Sequence, residues 1–260
     1  MTKNERILCL FDVDGTITPP RLRIDPKVDS FLRRLREKVA VGLVGGSDLY
    51  KILEQLGYKP GSGGREDEIF SKYDYFFAEN GLVAYKDGKL LRKESIVNFL
   101  GELKIQMFIN FALRYMSELR LPRKRGTFIE FRNGLINLCP VGRSCTQAER
   151  EEFAVYDEEN KVREKFIEAL RSEFSGDFGL SFSIGGQISI DAYPVGWDKT
   201  YCLHFLPVKS FDKIYFFGDK TDEGGNDHEI YMDKRTIGFK VTSPEDTMRK
   251  VSELFDVPIE

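Results

Sequence analysis

The sequence predicts an α/β protein whose core is a doubly wound parallel sheet, with an inserted α+β domain made of an antiparallel sheet and helices. Two observations lead to this class. Toward both ends of the chain, short apolar runs are each followed by a helical pattern, whereas the middle holds hairpin-like pairs of short strands around a charged helix. The first pattern returns after the middle, which indicates one domain inserted into another. We predict a core of residues 1–83 and 198–260 and an inserted domain of residues 84–197.

The first 80 residues repeat strand, loop and helix. The run ILCLFDV at residues 7–13 lacks polar alternation, as expected of a buried parallel strand, and apolar residues at helical spacing predict a helix over residues 26–38. A second strand is predicted at residues 39–44 and a helix at residues 49–56, with Ser47 or Asp48 as its N-cap. A third strand at residues 75–78 precedes an Asn-Gly turn signal.

The middle and the end of the chain follow different patterns. Long helices are predicted over residues 97–119 and about 147–174. Two hairpins flank the second of these helices, with strands at 127–131 and 135–138, and at 182–184 and 188–193. The α/β pattern then returns with a helix at 201–206, strands at 213–217 and 236–241, and a last helix beginning near Pro244 with Ser243 as its cap.

Composition excludes several classes of protein. With 41% hydrophobic and 13% aromatic residues among 260, the chain is too apolar to be disordered. A net charge of −3 gives no overall field that would attract nucleic acid or an anionic membrane, and the short basic run at residues 122–125 is interpreted as a solvated turn. Four separated cysteines and two histidines predict neither disulfides nor a zinc site. The polar first residues and the lack of a long apolar run predict a soluble cytoplasmic chain.

Polar residues follow three of the predicted core strands, where ligands of parallel α/β sheets bind. Asp12 and Asp14 are two residues apart, so both side chains can point toward one pocket. Ser47 follows the second strand, and Asp219 follows the late strand. The D-x-D-G motif alone could be an acidic turn. However, six acidic residues between positions 219 and 233, with one lysine, require solvent or a cation, and oxygen ligands without His or Cys favour Mg²⁺.

The order of these motifs resembles the haloacid dehalogenase-like phosphotransferases. The resemblance rests on D-x-D-G-T at residues 12–16, Ser47, Lys199 and G-D…N-D at residues 218–227. It implies a core of haloacid dehalogenase-like type, with Asp12 as the nucleophile that becomes an aspartyl-phosphate and Asp14 as the general acid/base. Ser47 and Lys199 would hold the phosphoryl group. Taken alone, Ser47 could equally cap a helix, and Lys199 is more typical of a surface lysine.

The chemistry of phosphoryl transfer requires two acidic groups with different roles. A carboxylate attacks phosphorus well only when a cation neutralises the repulsion between the two anions, and a second, protonated carboxyl must serve the departing oxygen.

Five longer segments are similar to those of eukaryotic phosphomannomutases. They are DVDGTITPPR, GTFIEFRNG, PVGRSCTQAER, FSIGGQISIDAYPVGWDK and FFGDKTDEGGNDHEI. The resemblance implies that six residues contact a sugar phosphate, namely Arg21, Arg132, Arg143, Arg150, Ser189 and Asp191. It implies that the catalytic Mg²⁺ is held by Asp12, the Asp14 backbone carbonyl and Asp219, and that a loop containing Tyr231, Asp233 and Thr236 holds a second ion. Without the resemblance, Ser189 and Asp191 would be interpreted as lying on the solvent-exposed face of a strand.

The same resemblance implies an enzyme that interconverts mannose 6-phosphate and mannose 1-phosphate. The reaction would proceed through an aspartyl-phosphate, with a hexose 1,6-bisphosphate as activator, and would supply GDP-mannose synthesis for glycosylation. A homodimer formed through the inserted domain is also implied. The alternative is a sugar-phosphate phosphatase of the same superfamily. The segment GLVGG at residues 42–46 lacks the G-x-G-x-x-G pattern, which argues against a Rossmann oxidoreductase. The loop at residues 58–68 looks longer than the family usually has.

Overall fold

The computed structural model describes residues 3–59 and 66–259. The middle of the loop at residues 58–68 lies outside this range. The chain divides into two compact units, one made of residues 1–93 and 196–260 and the other of residues 94–195. In the part of the chain that is described, no helix is both long and apolar enough to cross a membrane.

Strands and helices alternate along most of the first unit, whereas in the second unit strands follow strands and helices follow helices. The strands are β1 (Asn4–Phe11), β2 (Val39–Val44), β3 (Tyr75–Ala78), β4 (Val83–Lys86), β5 (Lys89–Lys93), β6 (Ile129–Phe131), β7 (Ile136–Leu138), β8 (Leu180–Gly185), β9 (Ser189–Pro194), β10 (Lys213–Gly218) and β11 (Ile237–Lys240). The helices are α1 (Pro26–Arg36), α2 (Leu49–Gln55), α3 (Glu66–Phe70), α4 (Ile96–Leu100), α5 (Glu102–Glu118), α6 (Gln147–Asn160), α7 (Val162–Phe174), α8 (His228–Met232) and α9 (Pro244–Phe255).

In the first unit the described strands form a seven-stranded sheet of order β11-β10-β1-β2-β3-β4-β5. The five strands from β11 to β3 are parallel, and β4 and β5 run antiparallel at one edge. Successive residues of the central strands alternate between two hydrophobic clusters. Phe11 and Phe217, stacked with ring centroids 4.9 Å apart, belong to one cluster, and Leu10 and Phe216 belong to the other. Apolar packing on both faces is what a doubly wound sheet requires, so the predicted fold class is confirmed.

The second unit holds an antiparallel sheet of order β6-β7-β9-β8. Aromatic side chains pack between this sheet and its helices. The ring centroid of Phe108 in α5 lies 5.2 Å from that of Phe174 in α7 and 6.2 Å from that of Phe182 in β8. Helix α6 begins with a capping box formed by Thr146 and Glu149. An antiparallel sheet with apolar helix packing on one face leaves its other face available for polar side chains.

Several predicted elements differ from those observed. The helix predicted over residues 97–119 is interrupted at Gly101 (φ 76°), and that over residues 147–174 at Lys161 (φ 55°). Both interruptions need a left-handed backbone, which ends an α-helix. The short helix predicted at residues 201–206 is the 3₁₀ segment Lys199–Phe205. Residues 84–93, assigned from the sequence to the inserted domain, belong to the β4–β5 hairpin, in which β4 pairs with β3. The predicted cap of the last helix, Ser243, is confirmed.

Candidate active site

The loop after β1 places Asp12 at the end of the central strand. Its backbone N–H donates to the Phe217 carbonyl at 2.9 Å, and the residue is only 4% exposed. The chain then turns at Gly15 (φ 77°), where a Cβ atom would lie 2.5 Å from Asp219 Oδ2. A glycine is required here, because a side chain would displace the Asp219 carboxylate from the end of β1.

Lys199 is fully buried between two carboxylates. Its Nζ donates to Asp12 Oδ1 and to Asp227 Oδ1. The other oxygen of Asp227 accepts from the Lys220 backbone N–H at 3.0 Å. Burial lowers the pKa of Lys199, but the two carboxylates outweigh it and raise that pKa above its ordinary value. Lys199 is therefore a buried cation and not a surface lysine.

The carboxylates of Asp12, Asp219 and Asp227 form an acidic cluster in which one oxygen from each lies within 4.8 Å of the others. Burial raises the pKa of Asp12 to about 7, although the ion pair with Lys199 acts in the opposite direction. The pKa of Asp219 is also raised, first by burial and then by the charge of Asp227. Asp219 Oδ1 is buried and has no hydrogen-bond partner among residues 3–59 and 66–259.

Three carboxylates and one lysine leave uncompensated negative charge, and a buried oxygen without a partner is costly. An all-oxygen donor set of this kind fits a hard divalent cation. The acidic cluster is therefore suited to hold a divalent metal.

Asp14 is held apart from the acidic cluster by two donors. Its Oδ1 accepts from the backbone N–H of Arg21 at 2.6 Å and from Gln55 Nε2 at 2.8 Å. Arg21 is exposed and has a left-handed backbone (φ 62°), whereas Gln55 is buried on α2. Gln55 could not be identified from the sequence, because a polar residue in a helical pattern usually faces solvent.

Ser47 lies at the end of β2, one strand away from Asp12. Asp48, and not Ser47, caps α2 by accepting from the Lys51 N–H at 3.1 Å. The backbone carbonyl of Ser47 accepts from the N–H of Glu79 at 3.0 Å. Since β2 and β10 both neighbour β1, the loops that carry Ser47, Asp12 and Asp219 leave the same edge of the sheet.

Tyr231 lies in α8, and Asp233 and Thr236 lie in the loop that follows it. The carboxylate of Asp233 is paired with Arg235 at 2.6 Å, and this hydrogen bond is the main cause of a lowered Asp233 pKa. The Thr236 hydroxyl donates to the Asp233 carbonyl at 3.1 Å. Within the described residues, the only group of at least three Asp, Glu, His or Cys side chains close enough to hold a metal ion is the acidic cluster. Asp233 is not part of such a group.

Most of the substrate-binding residues predicted in the second unit lie on or beside the polar face of its sheet. Arg132 and Arg143 both pair with Glu130 of β6, at 3.1 Å and 2.5 Å. Asn137 of β7 contacts Arg143 on one side and Ser189 and Asp191 of β9 on the other. Ser189 is only 5% exposed, so the interpretation that this face of the strand is solvent-exposed is wrong for Ser189.

Arg150 lies in the first part of α6 and is half-buried. The pKa of Cys139 is raised to about 11 by burial, and the charges of Arg143 and Arg150 act against that rise. Glu130 connects Arg132 to Arg143, and Asn137 connects Arg143 to Ser189 and Asp191. Sequence reasoning missed both Glu130 and Asn137, because each is a single polar residue in a short strand.

The fold and the arrangement of Asp12, Lys199 and Asp219 define a protein of the haloacid dehalogenase-like class. The structure is similar to a haloacid dehalogenase-like hydrolase from Bacteroides thetaiotaomicron, with a TM-score of 0.61 and 13% identity, covering 98% of this chain and 100% of the other. It is also similar to a trehalose-6-phosphate phosphatase related protein, with a TM-score of 0.55 and 15% identity, covering 96% and 97% of the two chains. At these identities the similarity shows the fold alone.

Sequence comparison identifies the family. The model of the family described as eukaryotic phosphomannomutase matches residues 28–257. Phosphomannomutase 1 of Mus musculus is 58% identical over 253 residues, covering 97% of this chain and 94% of the relative. The phosphomannomutase of Saccharomyces cerevisiae is 53% identical over 250 residues, covering 96% and 94%. The chain belongs to the eukaryotic phosphomannomutase family, and it is an enzyme.

Proposed function

We propose that this enzyme interconverts mannose 6-phosphate and mannose 1-phosphate through an aspartyl-phosphate on Asp12, with a hexose 1,6-bisphosphate as intermediate and activator. The observation that carries the proposal is the position of Asp12. It is buried at the end of the central strand, with Lys199 on one carboxylate oxygen and Asp219 close by. The relatives named above are phosphomannomutases. By family membership, the product serves GDP-mannose synthesis for protein glycosylation.

Asp12, the Asp14 backbone carbonyl and Asp219 would hold Mg²⁺, with Asp227 completing the acidic cluster. When bound, Mg²⁺ neutralises the negative charge that otherwise keeps a phosphate away from Asp12. The orphaned Asp219 oxygen and the three converging carboxylates support this assignment. We also propose the loop with Tyr231, Asp233 and Thr236 as a second ion site, in which Asp233 would share its carboxylate with Arg235.

Each remaining core residue has a separate task. Lys199 fixes the orientation of the Asp12 carboxylate through one of its oxygens and supplies positive charge where the phosphoryl group arrives. Asp14, held by Arg21 N–H and Gln55, exchanges a proton with the sugar oxygen. The Ser47 hydroxyl donates to a phosphoryl oxygen.

The second unit supplies residues for the phosphate that is not reacting. Its arginines Arg132, Arg143 and Arg150 offer guanidinium groups, as does Arg21 of the first unit, and an arginine fork binds a phosphate through two parallel hydrogen bonds. Ser189 and Asp191 hydrogen-bond to sugar hydroxyls. A mutase must bind its bisphosphate in either orientation, so it needs this grip at the non-reacting end. A phosphatase does not need it, which is why we favour the mutase.

The decisive experiment follows the fate of mannose 1-phosphate with Mg²⁺, with and without glucose 1,6-bisphosphate. We expect mannose 6-phosphate as the main product, formed faster with the bisphosphate, and inorganic phosphate as a minor product. Asp12→Asn should abolish turnover, while the control Asp212→Asn should keep it, because Asp212 is an exposed partner of Arg6. Free mannose and phosphate as the main products would establish the phosphatase instead.

We further propose a cytoplasmic homodimer formed through the second unit. Apolar side chains on α4 and α5 are exposed there, with Leu103 75% and Met107 54% accessible. Sedimentation of Leu103→Glu should show a larger monomer fraction than wild type. A monomeric wild type would contradict the proposal.

A further inference from the structure

Asn137 is the most buried polar residue on the polar face of the second unit's sheet. It is 2% exposed and lies on β7, between β6 and β9. In register, it stands opposite Glu130 on one side and Asp191 on the other. A buried amide at such a position must find hydrogen-bond partners across the sheet.

All of its partners are residues proposed to bind substrate. Nδ2 of Asn137 donates to Ser189 Oγ at 3.0 Å and to Asp191 Oδ1 at 2.6 Å. Its Oδ1 accepts from Arg143 Nη1 at 2.8 Å. The amide therefore uses both of its hydrogens and its oxygen on three side chains from two different elements.

The orientation of the amide is fixed by the chemistry of these partners. A carboxylate accepts only, so Nδ2 must face Asp191, and a guanidinium donates only, so Oδ1 must face Arg143. The flipped amide would place its oxygen against the Asp191 carboxylate and its NH₂ against the Arg143 cation. One residue thus couples the position of an anionic side chain to that of a cationic one.

We propose that Asn137 is a positioning residue for substrate binding, which holds Ser189, Asp191 and Arg143 in a single arrangement before the sugar phosphate binds. The proposal rests on the proposed function. Preorganised groups bind more tightly, because less rotamer freedom is lost on binding. Asn137 itself need not touch the substrate.

A different residue fixes the backbone of this region. Arg163 pairs with Asp157 at 2.7 Å and donates to the Gly186 carbonyl at 2.9 Å, so it secures the turn between β8 and β9. The main chain near Ser189 is therefore held independently of Asn137. Loss of the Asn137 amide should release Asp191 and loosen Ser189 and Arg143, which keep their bonds to the Gly185 carbonyl and to Glu130, without unfolding the turn.

Binding of mannose 1-phosphate is best measured by calorimetry in the Asp12→Asn background, where no turnover consumes the ligand. We expect Asn137→Ala to weaken binding about tenfold, the loss associated with one or two hydrogen bonds. Asn137→Asp keeps the shape and the acceptor for Arg143 but loses both donors, and it faces the Asp191 carboxylate. It should weaken binding at least as much. With Asp12 intact, KM for mannose 1-phosphate should rise by a similar factor, and kcat should change much less.

Asn160→Ala is the matched control. It removes an asparagine of the same unit that donates to the Tyr156 carbonyl at 2.9 Å, and it should leave binding unchanged. A double-mutant cycle separates positioning from general destabilisation. If Asn137 acts through Arg143, Asn137→Ala should weaken binding less in an Arg143→Ala background than in its absence.

Equal affinity of Asn137→Ala, Asn137→Asp and the parent would overturn the inference, as would the same fold-loss in both backgrounds. Should the alanine variant fail to fold, the isosteric Asn137→Asp decides the question by its own affinity. A parent Asp12→Asn protein that does not bind mannose 1-phosphate would overturn the proposed function together with the inference.

Discussion

Gly15 allows a direct test of how closely the D-x-D-G loop and Asp219 are fitted together. In Gly15→Ala the new Cβ would lie 2.5 Å from Asp219 Oδ2 and 2.8 Å from its Cγ. Ordinary van der Waals contact begins near 3.4 Å, so the carboxylate must move by about 1 Å. Displacements of this size cost about 100-fold in rate at an active site. We therefore expect kcat/KM to fall about 100-fold.

Gly15→Ala also strains the backbone, and Gly88→Ala is the control for that strain. Gly88 in the β4–β5 turn has φ 75°, close to the 77° of Gly15, and a Cβ there would meet no atom within 4 Å. Gly88→Ala should therefore lose about 1–2 kcal/mol of stability through left-handed strain and keep full activity. Gly15→Ala should lose similar stability, because the end of the Asp219 side chain can rotate away, yet lose activity as well.

Mutase kinetics and urea denaturation of both glycine variants provide the measurements. If Gly15→Ala is no less active than Gly88→Ala, the reasoning that places Asp219 against this loop is refuted.

Three other changes give measurable outcomes. Gln55→Leu removes a donor to Asp14, so we expect kcat to fall about tenfold with little change in KM; an unaltered kcat in steady-state assays would show that the contact has no role in turnover. Asp74→Asn should cost about 1–3 kcal/mol at pH 7, since this carboxylate accepts from the Val41 N–H, Lys3 and Arg36. Burial acts to raise the pKa of Asp74, but these hydrogen bonds outweigh it and lower the pKa, so its stabilisation is present above about pH 4 and lost as pH falls through the folded value. Urea curves of the two proteins should therefore converge in acid, and a gap independent of pH would contradict this. Thr146→Ala breaks the capping box of α6 and should cost about 1 kcal/mol, seen as a lower melting temperature; an unchanged melting temperature would show that the cap is dispensable.

The buried strands were the most predictable part of the fold. Strands β2 and β3 begin and end where their apolar runs predicted. A strand buried on both faces is an unbroken run of apolar residues, so its first and last residues can be identified from the sequence. The break at Lys161 could not be read from the sequence, since a lysine in a left-handed conformation leaves no local signal. The β4–β5 hairpin did carry a signal, Asp87-Gly88, but its strand β5 is exposed throughout and lacks alternation.

The residues of the candidate site also fall into those that the sequence could predict and those that it could not. Strand ends and motif spacing pointed to Asp12 and Asp219, because the carboxyl ends of adjacent parallel strands must converge. The ion pair of Lys199 with Asp227 depends on where a 3₁₀ segment packs, which no spacing rule encodes. Asn137 was missed for a similar reason: its partners are defined by the register of β7 against β9 and by Arg143, which lies beyond the end of β7.

The pairing of β1 with β10, in which Ile7 lies opposite Lys213, has a consequence for biosynthesis. The inserted unit is translated between these two strands, so at ribosomal speeds β10 emerges roughly 10–40 s after β1. During that interval one edge of β1 stays unpaired, whereas the contacts within residues 94–195 can already form. The nascent core therefore passes through a stage exposed to aggregation, in which chaperones have time to act. Asp12 meets Asp219 and Asp227 only at the end of synthesis, and a chain cut short before β10 has no acidic cluster.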